Sequence, residues 1–151
     1  MSNYIQTVVD KFELRVRRSF FYTEDDLWAK VEGAKVRVGV TDYLQRTSGD
    51  VAFVEIIKKG LSVKRRAEFG TLETAKTTIS LLSPISGKIE ETNEKLVEKP
   101  ELVNSDPYEE GWLAVLEPDD LENDLKTLMS DEEYFGLMVR KLKDQYKSES
   151  G

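Results

Sequence analysis

Two strand-like runs, Ala67–Thr74 and Thr77–Leu82, are separated only by Ala75-Lys76. Both are rich in Thr, Leu, Ile and Phe, so the chain has to reverse within a tight turn and pair the runs antiparallel. This hairpin signal sits among other short runs of the same kind. Phe12, Leu14 and Val16 alternate with Glu13, Arg15 and Arg17, the mark of a half-buried strand. Leu27–Val31 leads into a turn at Glu32-Gly33, and Lys35–Val40 alternates into Gly39. Val51–Ile57 is a strongly apolar run that ends at Lys59-Gly60. After a break at Ser83-Pro84-Ile85-Ser86-Gly87 the strand pattern resumes at Lys88-Ile89-Glu90, and Gly111–Leu116 reads as a buried final strand. So many short strands, closely spaced, predict a mainly β (α+β) sandwich or barrel.

The helical signals lie at the edges of this pattern. Ile5, Val8, Val9 and Phe12 are spaced like one helical face, which predicts a helix over Asn3–Lys11. Thr41–Arg46 predicts a single helical turn capped by Thr41 or Asp42. Pro118 suits a first helical turn, with Leu121, Leu125, Leu128 and Met129 on one face. Ser130-Asp131-Glu132-Glu133 is a capping box, and Tyr134, Leu137, Met138, Lys141 and Leu142 continue the apolar spacing to a tail expected to fray from Lys147 to Gly151. Asn93–Pro107 reads as polar loop. With 151 residues and no linker-like stretch, one domain is expected over 1–151, with 1–18 as an N-terminal extension packed on it and 118–146 as C-terminal helices.

Composition narrows the chemistry. The chain has no Cys and no His, which removes thiolate nucleophiles, Cys-based metal sites, imidazole proton shuttles and every triad built on them. The net charge is −7 and its distribution is uneven. Glu90–Glu133 holds 16 acidic and 3 basic residues, a local −13, against 13 acidic and 19 basic elsewhere, or +6. Lys58, Lys59, Lys64, Arg65 and Arg66 form a basic cluster, but the net acidity and the lack of interleaved aromatics argue against nucleic acid. A strand edge guarded by positive charge is the expected role. The acidic pairs Asp25-Asp26, Glu109-Glu110, Asp119-Asp120 and Glu132-Glu133 lack the spacing of a cation loop and read as structural, so no metal is expected. No apolar run approaches the ~18 residues of a membrane span, and a cytoplasmic location is expected.

Lys76 stands out by placement. A lysine at a hairpin turn is ordinarily just solvated, yet its flexible stem ends in an amine that can be acylated. Its surroundings sharpen this. Phe69-Gly70, Glu73, Lys76, Ser83-Pro84 and Ser86-Gly87 match in register the F-G-x-V-E-S-V-K-A and S-P-x-S-G of the lipoylation region in glycine cleavage system H proteins. Upstream, Tyr22-Thr23, Trp28, Val38–Tyr43, Gly49-Asp50 and Phe53-Val54-Glu55 resemble the family's Y-T-x-x-H-E-W, V-G-I-T-D-Y and G-D-x-x-F-V-E. Downstream, Leu102–Tyr108 and Gly111-Trp112-Leu113 follow its L-V-N-x-D-P-Y-x-x-G-W-L, and Glu133-Tyr134 fits as well. The resemblance runs from Phe20 to Leu142.

This resemblance implies a lipoyl-type barrel-sandwich hybrid with flanking helices and the carrier lysine at a β-hairpin tip. It implies lipoate in amide linkage on Lys76 and a non-catalytic carrier that shuttles an aminomethyl group between enzymes. The implied partners are a lipoyl-attaching enzyme, glycine decarboxylase, aminomethyltransferase and dihydrolipoyl dehydrogenase, with neither nucleic acid nor membrane. Around the site, Gly70 and Gly87 are expected to allow close backbone approach or a positive φ. Glu73 is expected either to be read by the attaching enzyme or to pair across the hairpin with a lysine or threonine. Asp42, Asp106 and Tyr108 are expected to shape turns, and Trp28 and Trp112 to lie in the core. The chain departs from the family pattern at Asp26-Leu27, Ile56-Ile57, Arg66-Ala67 and Thr74-Ala75. These departures touch surface near Lys76, so a lipoate-binding carrier for a sulfur-oxidising heterodisulfide-reductase-like complex stands as the alternative. An unmodified β-sandwich binding module is a second class, and a biotin carrier is disfavoured because Lys76 has no flanking methionines.

Overall fold

The computed structural model describes residues 2–150, with backbone alone for 147–150. The N-terminal segment is not a helix: β1 (Tyr4–Val9) and β2 (Phe12–Arg17) form a two-stranded antiparallel ribbon in which Val9 faces Phe12. The reversal is made by Asp10 and Lys11, with φ of 45° and 76°, the doubly left-handed turn whose twist matches a hairpin. The helical spacing of Ile5, Val8 and Val9 misleads because Ile5, Thr7, Val8 and Val9 are all β-branched and prefer the extended chain.

The body is two open antiparallel sheets packed face to face. β3 (Phe21–Tyr22), β4 (Leu27–Glu32) and β5 (Lys35–Val40) precede α1 (Asp42–Ser48) and β6 (Val51–Ile56). Next come β7 (Ser62–Val63), β8 (Glu68–Thr74), β9 (Thr78–Leu82) and β10 (Gly87–Thr92). The six-stranded sheet runs β3-β4-β5-β11-β10-β7, where β11 is Ala114–Pro118, and the three-stranded sheet runs β6-β8-β9. Neither sheet closes on itself, so the two pack as an open sandwich. The shared core is aliphatic: Val36, Val38 and Val40 from β5 and Ile89 and Leu116 from the large sheet meet Leu72 and Leu81 from the small one, with Phe69 its one ring. Burying such side chains is worth roughly 1.5–3 kcal/mol each.

Several local expectations change. α1 runs seven residues and not one turn, and Thr41 Oγ1 caps it by accepting from Leu44 N at 3.2 Å. The Asn93–Pro107 stretch contains two short helices, α2 (Lys95–Glu98) and α3 (Leu102–Ser105), each dropping one apolar residue (Leu96, Val103) into the core. Pro118 ends β11 instead of opening a helix, and α4 (Leu121–Leu125) is capped by Asp120. Leu128 and Met129 lie beyond α4, where Met129 exchanges backbone hydrogen bonds with Tyr22 at 2.9 and 2.8 Å. The Ser130–Glu133 box forms in both directions at 3.1 Å and opens α5 (Asp131–Ser150). This helix continues past Lys147, where fraying was expected; Gly151 lies outside the described residues. On β6, Ala52 and Phe53 point outward, Phe53 being 68% exposed, so only part of that apolar run is core. The basic cluster does flank an edge: β7 ends the large sheet, and all five cations are exposed.

A second core lies outside the sandwich. Tyr22, Trp28, Tyr108 and Tyr134 are buried with Leu14 and Val16 of β2 and Met138 and Leu142 of α5. Here the polar tips are placed as well as the rings. Tyr22 and Tyr108 hydroxyls donate to the carbonyls of Arg17 and Arg15 at 2.6 Å each, and Trp28 Nε1 donates to Pro107 O at 3.0 Å. The N-terminal ribbon is therefore fastened through alternate carbonyls of β2. Trp112, expected in the core, is only half-buried, with the Arg37 guanidinium 4.4 Å above its ring.

Candidate functional site

Lys76 lies in the short turn that joins β8 to β9. The turn is built by Thr74. Its amide donates to Thr77 O at 2.8 Å, and its hydroxyl oxygen accepts from the amides of Lys76 and Thr77 at 3.2 and 3.1 Å. Thr74 is itself buried, so one hydroxyl anchored in the fold fixes the backbone on both sides of an exposed lysine. Sequence reading missed this role, although a hydroxyl residue two positions before the lysine was the available signal. The departure from Ser to Thr at that position keeps the functional atom.

The Lys76 side chain is exposed and forms no ion pair among the described residues. Its stem runs across the connection between α1 and β6. A Cβ placed on Gly49 would lie 3.6 Å from Lys76 Cδ, 3.7 Å from Cε and 4.0 Å from Nζ. Gly49 has φ of +87°, a conformation that favours glycine, and its carbonyl accepts from Asn104 Nδ2 at 3.0 Å.

The other predicted residues divide. Glu73 is exposed, directly opposite Thr78 on β9 and opposite Phe53 on β6, which is the cross-strand arrangement with a threonine. Gly70 lies farther down β8, where a Cβ would come within 2.4 Å of Glu55 O. Gly87 is on the other sheet, where a Cβ would come within 2.4 Å of Glu117 O. Both glycines serve close backbone approach, and neither has a positive φ. Thus Glu73 and Lys76 share one hairpin end, while Gly70 and Gly87 shape the sheets beneath it. Asp106 does shape its turn, accepting from Glu110 N at 3.0 Å, but Tyr108 is a core residue and Asp42 is buried in α1.

Among the titratable groups, Asp26 carries a specific perturbation. Burial raises its carboxyl above the usual range, against the opposing effects of a hydrogen bond from Tyr134 Oη at 2.7 Å and the charge of Lys141. Among the described residues no group of three acidic side chains is placed to hold a metal ion. No helix among them is long and apolar enough to cross a membrane.

An antiparallel two-sheet sandwich with an aliphatic core is of the lipoyl-type class. Residues 20–141 match the Glycine cleavage H-protein family. The glycine cleavage system H protein of Halalkalibacterium halodurans is 46% identical over 113 residues, 75% of this chain and 88% of that protein. That of Geobacillus sp. is 43% identical over 113 residues, again 75% and 88% of the two chains. The crystal structure of a glycine cleavage system H protein from Mycobacterium marinum superposes with a TM-score of 0.73 at 32% identity, covering 81% of this chain and 98% of that one. The chain belongs to the glycine cleavage H-protein family. The ribbon β1–β2 lies outside the matched residues.

Proposed function

We propose that Lys76 carries lipoate in amide linkage and that the chain is the non-catalytic, cytoplasmic carrier of glycine cleavage. The observation that carries this reading is the lysine itself: exposed, without an ion pair among the described residues, and held in a turn whose backbone Thr74 fixes. Acylating this amine breaks no ion pair with any described residue and buries no charge, so the site fits the group. When bound, lipoate supplies a disulfide that can be opened, loaded and closed again, chemistry that a chain without Cys or His does not contain.

The chain's own residues orient and present. Thr74 sets the direction in which the lysine leaves the hairpin, and Gly49 gives the stem a surface without a side chain in its way. Glu73, exposed three residues before Lys76, is the charge an attaching enzyme meets beside its target. Tethering then raises the effective concentration of the arm at each enzyme the carrier docks against. Those enzymes are a lipoyl-attaching enzyme, glycine decarboxylase, aminomethyltransferase and dihydrolipoyl dehydrogenase.

Co-expression with a lipoyl-attaching enzyme that modifies H proteins tests the reading. The intact mass of the wild type should rise by one lipoyl group, and that of Lys76→Ala should not. An unmodified wild type would overturn it. The lipoylated chain should then support exchange of carbon dioxide into glycine with a glycine decarboxylase. Failure there, with activity beside a sulfur-oxidising heterodisulfide-reductase-like complex, would move the carrier to that system.

A further inference from the structure

A cleft of about 620 Å³ opens where the end of the N-terminal ribbon remote from its turn meets β4. Its lining includes three cations, Arg17, Arg18 and Lys30, and not one acid, in a chain whose net charge is −7. We propose that this cleft binds the phosphoryl group of a small organic phosphate, held by Arg17 and Arg18. The site is independent of Lys76, which lies in a turn of the small sheet.

Both arginines are set by backbone that is already committed. The Asn3 carbonyl accepts from Arg18 N at 2.8 Å and from Arg17 Nη1 at 3.2 Å, and the Arg17 carbonyl accepts from Tyr22 Oη at 2.6 Å. The turn that follows is tied to α5, with Ser19 N donating to Asp131 Oδ2 at 2.7 Å. Arg17 Cζ lies 5.5 Å from the ring centres of both Tyr4 and Phe20, so the guanidinium is oriented before any ligand arrives. Its donors are nevertheless underused. Nε is buried without a hydrogen-bond partner among the described residues, and Nη2 is 3.9 Å from the carboxylate of the exposed Glu109. Arg18 forms no ion pair among the described residues. Lys30 is paired with Glu32 at 3.1 Å.

The charge of Arg18 is thus uncompensated and that of Arg17 largely so, which matches a dianion. A phosphate monoester carries about −1.5 to −2 near neutral pH and three acceptor oxygens, where a single carboxylate would neutralise one cation. Guanidinium forks bind such oxygens in pairs. The cleft is larger than a phosphoryl group, and Val31 of β4, 38% exposed, offers an apolar surface to the organic remainder. The basic cluster at 58–66 holds more charge in a poorer setting, because Arg65 and Arg66 line their cleft together with Glu24 and Asp25. Both ligating arginines precede the family match, so the site is an addition to the matched fold.

The test is a titration of the nitrogen-15-labelled full chain with phenyl phosphate at constant ionic strength, read by backbone amide shifts. Saturable shifts are expected at Arg17, Arg18, Ser19 and Lys30. Arg18→Gln, which breaks no ion pair with any described residue, should weaken the fitted affinity about tenfold. Lys30→Gln should weaken it less. Inorganic phosphate should move the same amides at higher concentration, and succinate, with its two charges on separate carboxylates, should bind more weakly than phenyl phosphate. Shifts that fail to saturate, that are as large at residues 58–66, that succinate reproduces at equal concentration, or that survive Arg18→Gln unchanged would overturn the site. None of these outcomes touches the carrier reading, which the mass of the lipoylated chain tests separately.

Discussion

The molecule has two cores built on different chemistry. Between the sheets, aliphatic side chains alternate along strands and bury no polar atoms of their own, so stability there follows apolar area and packing. Beneath the N-terminal ribbon and α5, the core mixes tyrosine, tryptophan and phenylalanine with Val, Leu and Met, and every buried hydroxyl of Tyr22, Tyr108 and Tyr134 has a partner at 2.6–2.7 Å. The difference shows how an appended element can be held. A two-stranded ribbon lacks a third strand to satisfy its inner edge, and tyrosine tips supply the missing donors. The sandwich is held by shape, the ribbon by shape plus directed hydrogen bonds.

The largest test of this contrast is Phe69→Ala. Phe69 is fully buried between the sheets, and its truncation should cost about 3–5 kcal/mol in urea unfolding, felt throughout the molecule. Tyr108→Phe should come next. Its hydroxyl donates to Arg15 O and accepts from Asp42 N, so removal strands two backbone groups, at about 1–3 kcal/mol. Amide exchange should quicken in β1 and β2 and stay unchanged in β8. Equal acceleration in β8 would show that the two cores are one cooperative unit.

Asp26→Asn sharpens the contrast from the other side. The carboxyl of Asp26 titrates higher in the fold than in the unfolded chain, chiefly because it is buried. Its favourable contribution is therefore present below the unfolded carboxylate range and lost as pH rises through the folded value. Asparagine keeps an acceptor for Tyr134 Oη and tolerates the φ of 65° at this position. The variant should raise Tm at neutral pH, and the gain should vanish in acid; a gain independent of pH would exclude the carboxyl as its source. The smallest effect is expected at Lys76→Ala, which touches neither core and should alter stability by no more than about 0.5 kcal/mol.

Much of the sandwich was legible because period-two patterning and turn residues are local signals. Lys35–Val40 falls where its alternation puts it, and so, in the ribbon outside the sandwich, does Phe12–Arg17. The N-terminal segment misled because its reversal is carried by Asp10-Lys11, which lacks the glycine that usually marks a doubly left-handed turn. Helices α2 and α3 were hidden by brevity: at four residues each, neither shows a periodic face or a side-chain cap. The lysine was visible in sequence, but its setting was not. Gly49 reaches it across a long separation that only the packing of α1 brings together, and the Gly49-Asp50 pair after a helix was the available hint.

The short strands at the ends of the large sheet bear on self-association. β3 and β7 are two residues long; the first is bridged to Met129, and the second is flanked by five cations. Neither gives a foreign strand enough backbone to zip onto. β1 is the contrast: six residues without a charge, with one strand neighbour, and with Val8 61% exposed. When the protein is concentrated, the added ribbon is therefore where chains would begin to add to one another, and a lysine at Val8 would be the simplest guard.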